Sequence, residues 1–290
     1  MQRLSVSEVT TRDWTFFDDV RQYAAYGINS IGVWRNKIEY TDFECEPKLD
    51  YEIVAAHLQD MRMNVSSLTW AGGFTGSCGQ TFCDAIDDAR TAIYNAYMIG
   101  AGCLIIYPGA ANGHTKNHAL SNIRAALQTL LPYAKDLGIR LGIEPISTRK
   151  NPWSFIGNFQ DHLDFVRSFN DQQLGLVLDL YHVGQNRRLL HTLEDIKDEI
   201  ALVQLADTKA ANPIDKEKSG AFLDNARCLL GEGNIMIQQW LKKLSEIEYR
   251  GEFEIELHGE LLSDVDSNER LRHTCDYLLE IPVAAELLKA

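Results

Sequence analysis

The stretch Leu174–Asn186, LGLVLDLYHVGQN, decides how the rest of the chain is read. Five of its first seven residues are apolar, a run too short for a helix, which marks a buried strand. Near-continuous apolar runs belong to parallel strands covered by helices on both faces. Yet Asp179 stands at the end of this run, with His182 three positions on. Withdrawing a carboxylate from water costs several kcal/mol unless it finds a partner. Asp179 is therefore either a structural ion-pair member or helix cap, or a metal-binding or catalytic group at the mouth of a barrel.

Working outward, short β-like runs alternate with longer amphipathic stretches along the chain. Strands are expected at Leu4–Val9, Ser30–Trp34, Asn64–Leu68, Cys103–Tyr107, Arg140–Ile146, Leu174–Leu180, Ala201–Ala206 and Glu252–Leu257. Helices are expected at Trp14–Tyr26, Tyr51–Arg62, Cys83–Ile99, His118–Leu137, Phe159–Phe169, Thr192–Ile200 and Met236–Ile247. Gly27, Gly100, Gly102 and Gly138 stand where a helix hands over to a strand, as C-capping glycines do. Serial βα units without a linker or composition break predict an α/β fold, one (β/α)8 TIM barrel over residues 1–290. The 290 residues suit such a barrel of about 250 residues. The long irregular region 207–234 is a candidate lid, since long loops in compact domains usually serve function.

Composition narrows the partners. With 45% hydrophobic and 24% charged residues the chain can bury a large core. A net charge of −13 argues against nucleic acid, whose binding rests on clustered Lys and Arg. No run approaches the roughly 18 apolar residues of a membrane span, and the N-terminus lacks the apolar core of a signal peptide. Cys45, Cys78, Cys83, Cys103, Cys228 and Cys275 make no CxxC pair and no disulfide framework, as in a reducing compartment. A cytoplasmic protein is expected.

Strand parity places the chemistry. Alternate residues of a barrel strand face the interior. Phe253, Ile255 and Leu257 must meet the helices, so Glu252, Glu254 and Glu256 point inward, with Glu256 nearest the C-terminal mouth. Leu141 and Ile143 face outward and send Glu144 inward. The same reasoning turns Asp179 inward beside Leu174, Leu176 and Leu178, and Gln204 inward beside Val203 and Leu205. Four strands thus deliver Glu144, Asp179, Gln204 and Glu256 to one end of one interior. Three converging carboxylates repel unless protonated or bound to a cation. A divalent metal resolves the conflict, and four oxygen donors suit Mg2+ or Mn2+. Active sites of such barrels lie at that C-terminal face.

These residues carry a family resemblance. GIEPI around Glu144, LDLYH around Asp179 and His182, VQLAD around Gln204, the GEGNI turn at Gly231–Ile235 and EIEL around Glu256 recur in order. Together they resemble the xylose isomerase-like TIM barrel superfamily, in particular its sugar phosphate isomerase/epimerase group, nearly end to end. The resemblance implies Glu144, Asp179, Gln204 and Glu256 as ligands of Mn2+ or Mg2+, or of Co2+. It implies Glu144 and Glu256 as the catalytic pair that exchanges a proton beside a carbonyl. Many members carry histidine where Gln204 stands; hydroxypyruvate isomerase-like members carry glutamine.

The same resemblance implies His182 as a contact to a substrate hydroxyl; otherwise it is a loop histidine. His114, in PGAANGHT, is a substrate-binding residue or a helix-entry residue beside His118. His258 shares the parity of Glu256 and lines the upper rim. Trp34, Arg35 and Lys37 follow the second strand and offer a stacking surface with positive charge; a rim salt bridge to Glu39 or Asp42 is the other reading. Trp14 and Phe74 are apolar walls or core, Arg149 and Lys150 a solvated loop face or substrate contacts. Asp207 supports a neighbour of Gln204. His57, His162, His191 and His273 read as structural or solvated.

The expected function is a metal-dependent isomerase or epimerase of a sugar or small hydroxy-carbonyl compound, working through an enediolate. A dehydratase or lyase on a keto-sugar, keto-inositol or oxidised glycoside begins with the same proton abstraction. A non-catalytic sugar-binding barrel is a further reading, and the acidic charge speaks against the endonuclease branch of the fold. A homo-oligomer is expected from the resemblance alone.

Overall fold

The computed structural model describes residues 3–39, 48–146, 154–209 and 226–288. Eight parallel strands close into a barrel: β1 (Leu4–Ser7), β2 (Ser30–Trp34), β3 (Asn64–Gly72), β4 (Ala101–Tyr107), β5 (Arg140–Ile143), β6 (Leu174–Asp179), β7 (Ile200–Leu205) and β10 (Phe253–Ile255). Two short strands, β8 (Asp207–Thr208) and β9 (Arg227–Cys228), pair antiparallel outside the barrel between β7 and β10. β10 lies between β7 and β1, which closes the ring. All eight expected barrel strands are present, several with shifted ends.

The alternation of side chains holds along β5, β6, β7 and β10. Outward residues such as Leu141, Ile143, Leu176, Leu178, Val203, Leu205, Phe253 and Ile255 join one large core between sheet and helices. Inward residues Cys103, Ile105, Val177 and Leu202 form a separate apolar plug inside the barrel. Gly142 makes room for it, because a Cβ there would collide with Val177 and Cys103. On the opposite side the filling is polar. Ser66 and Ser67 both donate to Glu254 Oε2 at 2.6 Å, and Ser5 bonds Ser66. The interior is thus apolar beneath β4, β6 and β7 and polar beneath β1, β3 and β10.

The helices follow from local signals. Thr81 and Asp84 form a reciprocal capping box at the start of Phe82–Met98, satisfying two orphan N–H groups. Thr15, Asp50, Thr115, Asn158 and Asp266 cap their helices one way, each side-chain oxygen accepting from one backbone N–H of the first turn. Helix Ile237–Glu246 buries Ile237, Trp240, Leu241 and Leu244, one stripe at helical spacing. Fully withdrawing such side chains from water contributes roughly 1.5–3 kcal/mol each. Trp240 keeps its indole N–H satisfied on the Gly184 carbonyl at 2.9 Å.

Gly27, Gly100 and Gly138 sit at φ near +72°, where only glycine is unstrained, and each ends a helix. Gly102 does not: it lies within β4. The expected helix Thr192–Ile200 is a 3-10 helix, Leu193–Glu199, preceded by a short α-helix, Arg187–His191. Asn186 accepts from Leu189 N at 3.0 Å and so starts the helix upstream. Among the described residues no helix is long and apolar enough to cross a membrane.

Candidate metal centre

Glu144 follows the last residue of β5 and is buried at the barrel mouth. Asp179 ends β6 and also caps the short helix Leu180–Val183, accepting from Tyr181 N at 2.8 Å. That single turn carries His182 back over the cavity. His182 Nε2 lies 3.4 Å from Glu144 Oε1 and 3.7 Å from Asp179 Oδ2. One ligand atom from each of Glu144, Asp179 and His182 falls within 4.8 Å of the others.

Gln204 and Glu256 lie on the adjoining wall. Gln204 pairs in register with Asp179 on one side and Glu254 on the other. Its Nε2 donates to Glu254 Oε1 at 2.9 Å and, over a short contact, to Glu256 Oε2. Its Oε1 is buried and meets no hydrogen-bond donor among the described residues. His258 Nε2 stands 3.2 Å from Glu256 Oε1. Burial pushes the Glu254 carboxyl up to about 7, against hydrogen bonds from Ser66, Ser67 and Gln204 that lower it.

Sequence reasoning missed one residue at this centre, Arg227. Its guanidinium is fully buried, 2.6 Å from Asp179 Oδ2 and 3.4 Å from Glu256 Oε1, and lies 4.4 Å above the Tyr181 ring. β9 delivers it. The only sequence signal is an arginine set between Ala226 and Cys228 in an otherwise apolar ARCLL run.

The donor set fits a divalent cation. Glu144, Asp179 and His182 each bring a ligand atom within 4.8 Å of the others, and on the adjoining wall beside Glu256 the Gln204 amide oxygen is a buried acceptor with no donor among the described residues. Hard oxygen donors with one imidazole suit Mn2+, Mg2+ or Zn2+ better than a thiol-seeking metal. The grouping differs from the expected one: His182, assigned to substrate, is the close companion of Glu144 and Asp179, and Glu256 stands outside that group, against Gln204, Arg227 and His258.

The other expected site residues are dispersed. The Arg35 guanidinium is held by Glu39 and Asp88, each at 2.8 Å; the Glu39 salt bridge is the alternative foreseen for it. Lys37 Nζ is buried on Asp19 and donates to the Thr11 carbonyl at 2.8 Å. Burial holds the Asp19 carboxyl well above its ordinary range, Lys37 opposing and Glu8 reinforcing. Trp34 is half-buried with Arg12 stacked at 5.5 Å. His114 meets the Thr75 carbonyl at 3.2 Å and packs edge-on against His118.

Phe74 is core. His162 is structural, between Ser154 Oγ and the Asn158 carbonyl. Asp207 accepts from the backbone N–H groups of Thr208, Gly231, Gly233 and Ile235, so it builds the GEGNI turn instead of supporting Gln204's neighbourhood. Arg149, Lys150 and most of the candidate lid lie outside the described residues.

Fold and site together define an α/β TIM barrel with a group at its C-terminal mouth that could hold a metal ion. The chain belongs to the xylose isomerase-like TIM barrel family, whose profile matches residues 20–281. An uncharacterized protein of Methanocaldococcus jannaschii is 24% identical over 201 residues, 67% of this chain and 64% of the relative. The chain therefore spans a little under two thirds of the length of that curated relative. Among solved structures, the IolI protein with a bound zinc atom has a TM-score of 0.80 at 18% identity, covering 99% of this chain and 100% of the other. D-allulose 3-epimerase from Methylomonas sp., in complex with D-allulose, has a TM-score of 0.71 at 18% identity over 96% of each chain. At such identities the likeness is one of fold.

Proposed function

We propose that this protein is a divalent-metal-dependent isomerase or epimerase of a sugar or small hydroxy-carbonyl compound. One observation carries the reading: Glu144, Asp179 and His182 each bring a ligand atom within 4.8 Å of the others in a buried group, with Gln204 and Glu256 hydrogen-bonded to one another on the adjoining wall. Family membership and the zinc-bearing and D-allulose-bound neighbours support it. Asp179, Glu144, Gln204 and Glu256 would hold the ion, with His182 close enough to join them or to meet a substrate hydroxyl.

A bound divalent ion would supply positive charge to the substrate oxygens as the proton departs. The protein's own groups do the rest. A proton beside a carbonyl is weakly acidic, and a positioned carboxylate can remove it with a gain of about 10²–10⁴. Glu144 follows β5 and Glu256 follows β10, two strands separated by β6 and β7. A substrate between them would meet a carboxylate on each face. One takes the proton from carbon, leaving an enediolate; the other returns a proton to the opposite face or the neighbouring carbon. Arg227 and His258, both against Glu256, would hold that carboxylate in place. Trp34 and His114 would form the outer rim for substrate.

The test is deuterium uptake from D2O into ketoses, hydroxypyruvate and keto-inositols, with Mn2+ or with EDTA. Metal-dependent uptake beside the carbonyl supports the reading, and release of water or an aglycone would redirect it to a lyase. No exchange with any metal would overturn it in favour of a binding protein.

A further inference from the structure

Gln204 poses a question that a carboxylate or imidazole ligand would not. A side-chain amide has one end that can bind a cation and one that cannot. Which end faces the ion depends on what holds the other. Both Nε2 hydrogens of Gln204 are engaged on the β10 side, by Glu254 Oε1 at 2.9 Å and by Glu256 Oε2. Glu254 Oε1 and Glu256 Oε2 both accept at these contacts, and Glu254 Oε2 already accepts from Ser66 and Ser67, so the reversed amide would set oxygen against oxygen at two contacts. The oxygen diverges from the nitrogen on the same carbon and so faces away from β10. The next strand on that side is β6, where Asp179 pairs in register with Gln204. Gln204 Oε1 is there a buried acceptor without a donor.

Glu254 is itself held from below. Ser66 and Ser67 both donate to its Oε2, and Gly32 leaves the space its carboxylate fills, since a Cβ at that position would strike Oε2. The hydrogen bonds of Glu254 among the described residues run to Ser66, Ser67 and Gln204, not to Glu144, Asp179 or His182. Its polar partners lead to one group, the Gln204 amide.

We propose that Glu254 is a positioning residue: supported by Ser66, Ser67 and Gly32, it fixes the Gln204 amide so that its oxygen is presented to the cation. The proposal rests on the metal reading of the site. A partner acting on a ligand in this way is typically worth 10–100-fold in metal affinity.

The test is a double-mutant cycle read by Mn2+ titration of the metal-free protein, following free Mn2+ by electron paramagnetic resonance. The proteins are the parent, Glu254→Gln, Gln204→Glu and the pair. Glu254→Gln leaves a group that can donate as well as accept, so the Gln204 amide loses its preferred sense. Mn2+ affinity is expected to fall about tenfold or more. In the Gln204→Glu background both ligand ends are oxygen, and Glu254→Gln should cause no such fall. Equal losses in both backgrounds, or none in either, would overturn the proposal. Absence of Mn2+ binding by the parent would remove the metal reading and the proposal with it. Should Glu254→Gln not fold, Ser67→Ala keeps the carboxylate but loosens it. A smaller loss confined to the Gln204 background supports the proposal, and a loss shared by both backgrounds, or none, overturns it.

Discussion

Arg227 Nη2 lies 2.6 Å from Asp179 Oδ2, and both side chains are sealed from solvent. Forty-eight positions separate them in sequence, so the pair ties the β9 segment to the end of β6. The same guanidinium reaches Glu256, which places a permanent cation between two carboxylates that the sequence assigns to a metal.

Breaking one side of a buried ion pair strands the other charge, at a cost of about 3–5 kcal/mol. Arg227→Met is therefore expected to lower the stability of the metal-free protein by roughly that amount, measured by urea unfolding. Saturating Mn2+ should recover part of the loss, because the ion then neutralises Asp179 and Glu256. A variant as stable as the parent without metal would show that the pair contributes little.

Glu144→Gln and Glu256→Gln keep side-chain volume but remove the proton acceptor. Deuterium exchange should fall by about 10²-fold or more in either variant, while circular dichroism stays close to the parent. Exchange that survives in both would assign proton transfer to other groups.

Chelation offers a separate measure. EDTA should abolish turnover, and readdition of Mn2+ should restore it. A ligand that binds only the folded state at 100 times its dissociation constant stabilises by about 2.7 kcal/mol, so thermal unfolding should rise with added Mn2+. Unfolding indifferent to every divalent ion tried would count against a metal at this centre.

His162 makes a pH prediction. Burial lowers it from 6.5 to about 4, the Asn158 carbonyl opposing. A folded value below the unfolded one means that the unfolded chain binds the extra proton. The stabilising contribution is then complete above pH 6.5 and is lost as pH falls toward 4. Between pH 7 and pH 5 the parent should lose about 2 kcal/mol more stability than His162→Gln. Equal losses, followed by urea unfolding at both pH values, would remove His162 as the cause.

Much of the barrel was legible because its signals are local. Alternation along Leu141–Ile143 or Phe253–Leu257 is a property of the pleat, and it turned Glu144 and Glu256 inward without reference to any other strand. Gly27, Gly100 and Gly138 end their helices through their own backbone conformation. The misreadings lie where a long-range partner intervenes. Asp207 resembled a supporter of Gln204, yet four backbone N–H groups, three of them beyond the 210–225 segment, claim its carboxylate. Arg35 and Lys37 read as mouth charges or rim salt bridges; Arg35 makes the foreseen bridge to Glu39, while Asp88 and Asp19, each brought alongside by a helix, are partners no local pattern names.

The sequence by itself determined the (β/α)8 order, which face the residues of β5, β6, β7 and β10 take and hence which of their carboxylates turn inward. These follow from a two-residue period and from capping chemistry, both short-range steric effects. Tertiary structure alone decided which charges neutralise one another there. Arg227 enters from a separate hairpin, His182 returns only because Asp179 caps the turn that carries it, and Glu254 meets Gln204 only because β10 pairs with β7. Coulombic and hydrogen-bond partners are chosen by proximity in the folded chain, and proximity across strands is not written in any local pattern.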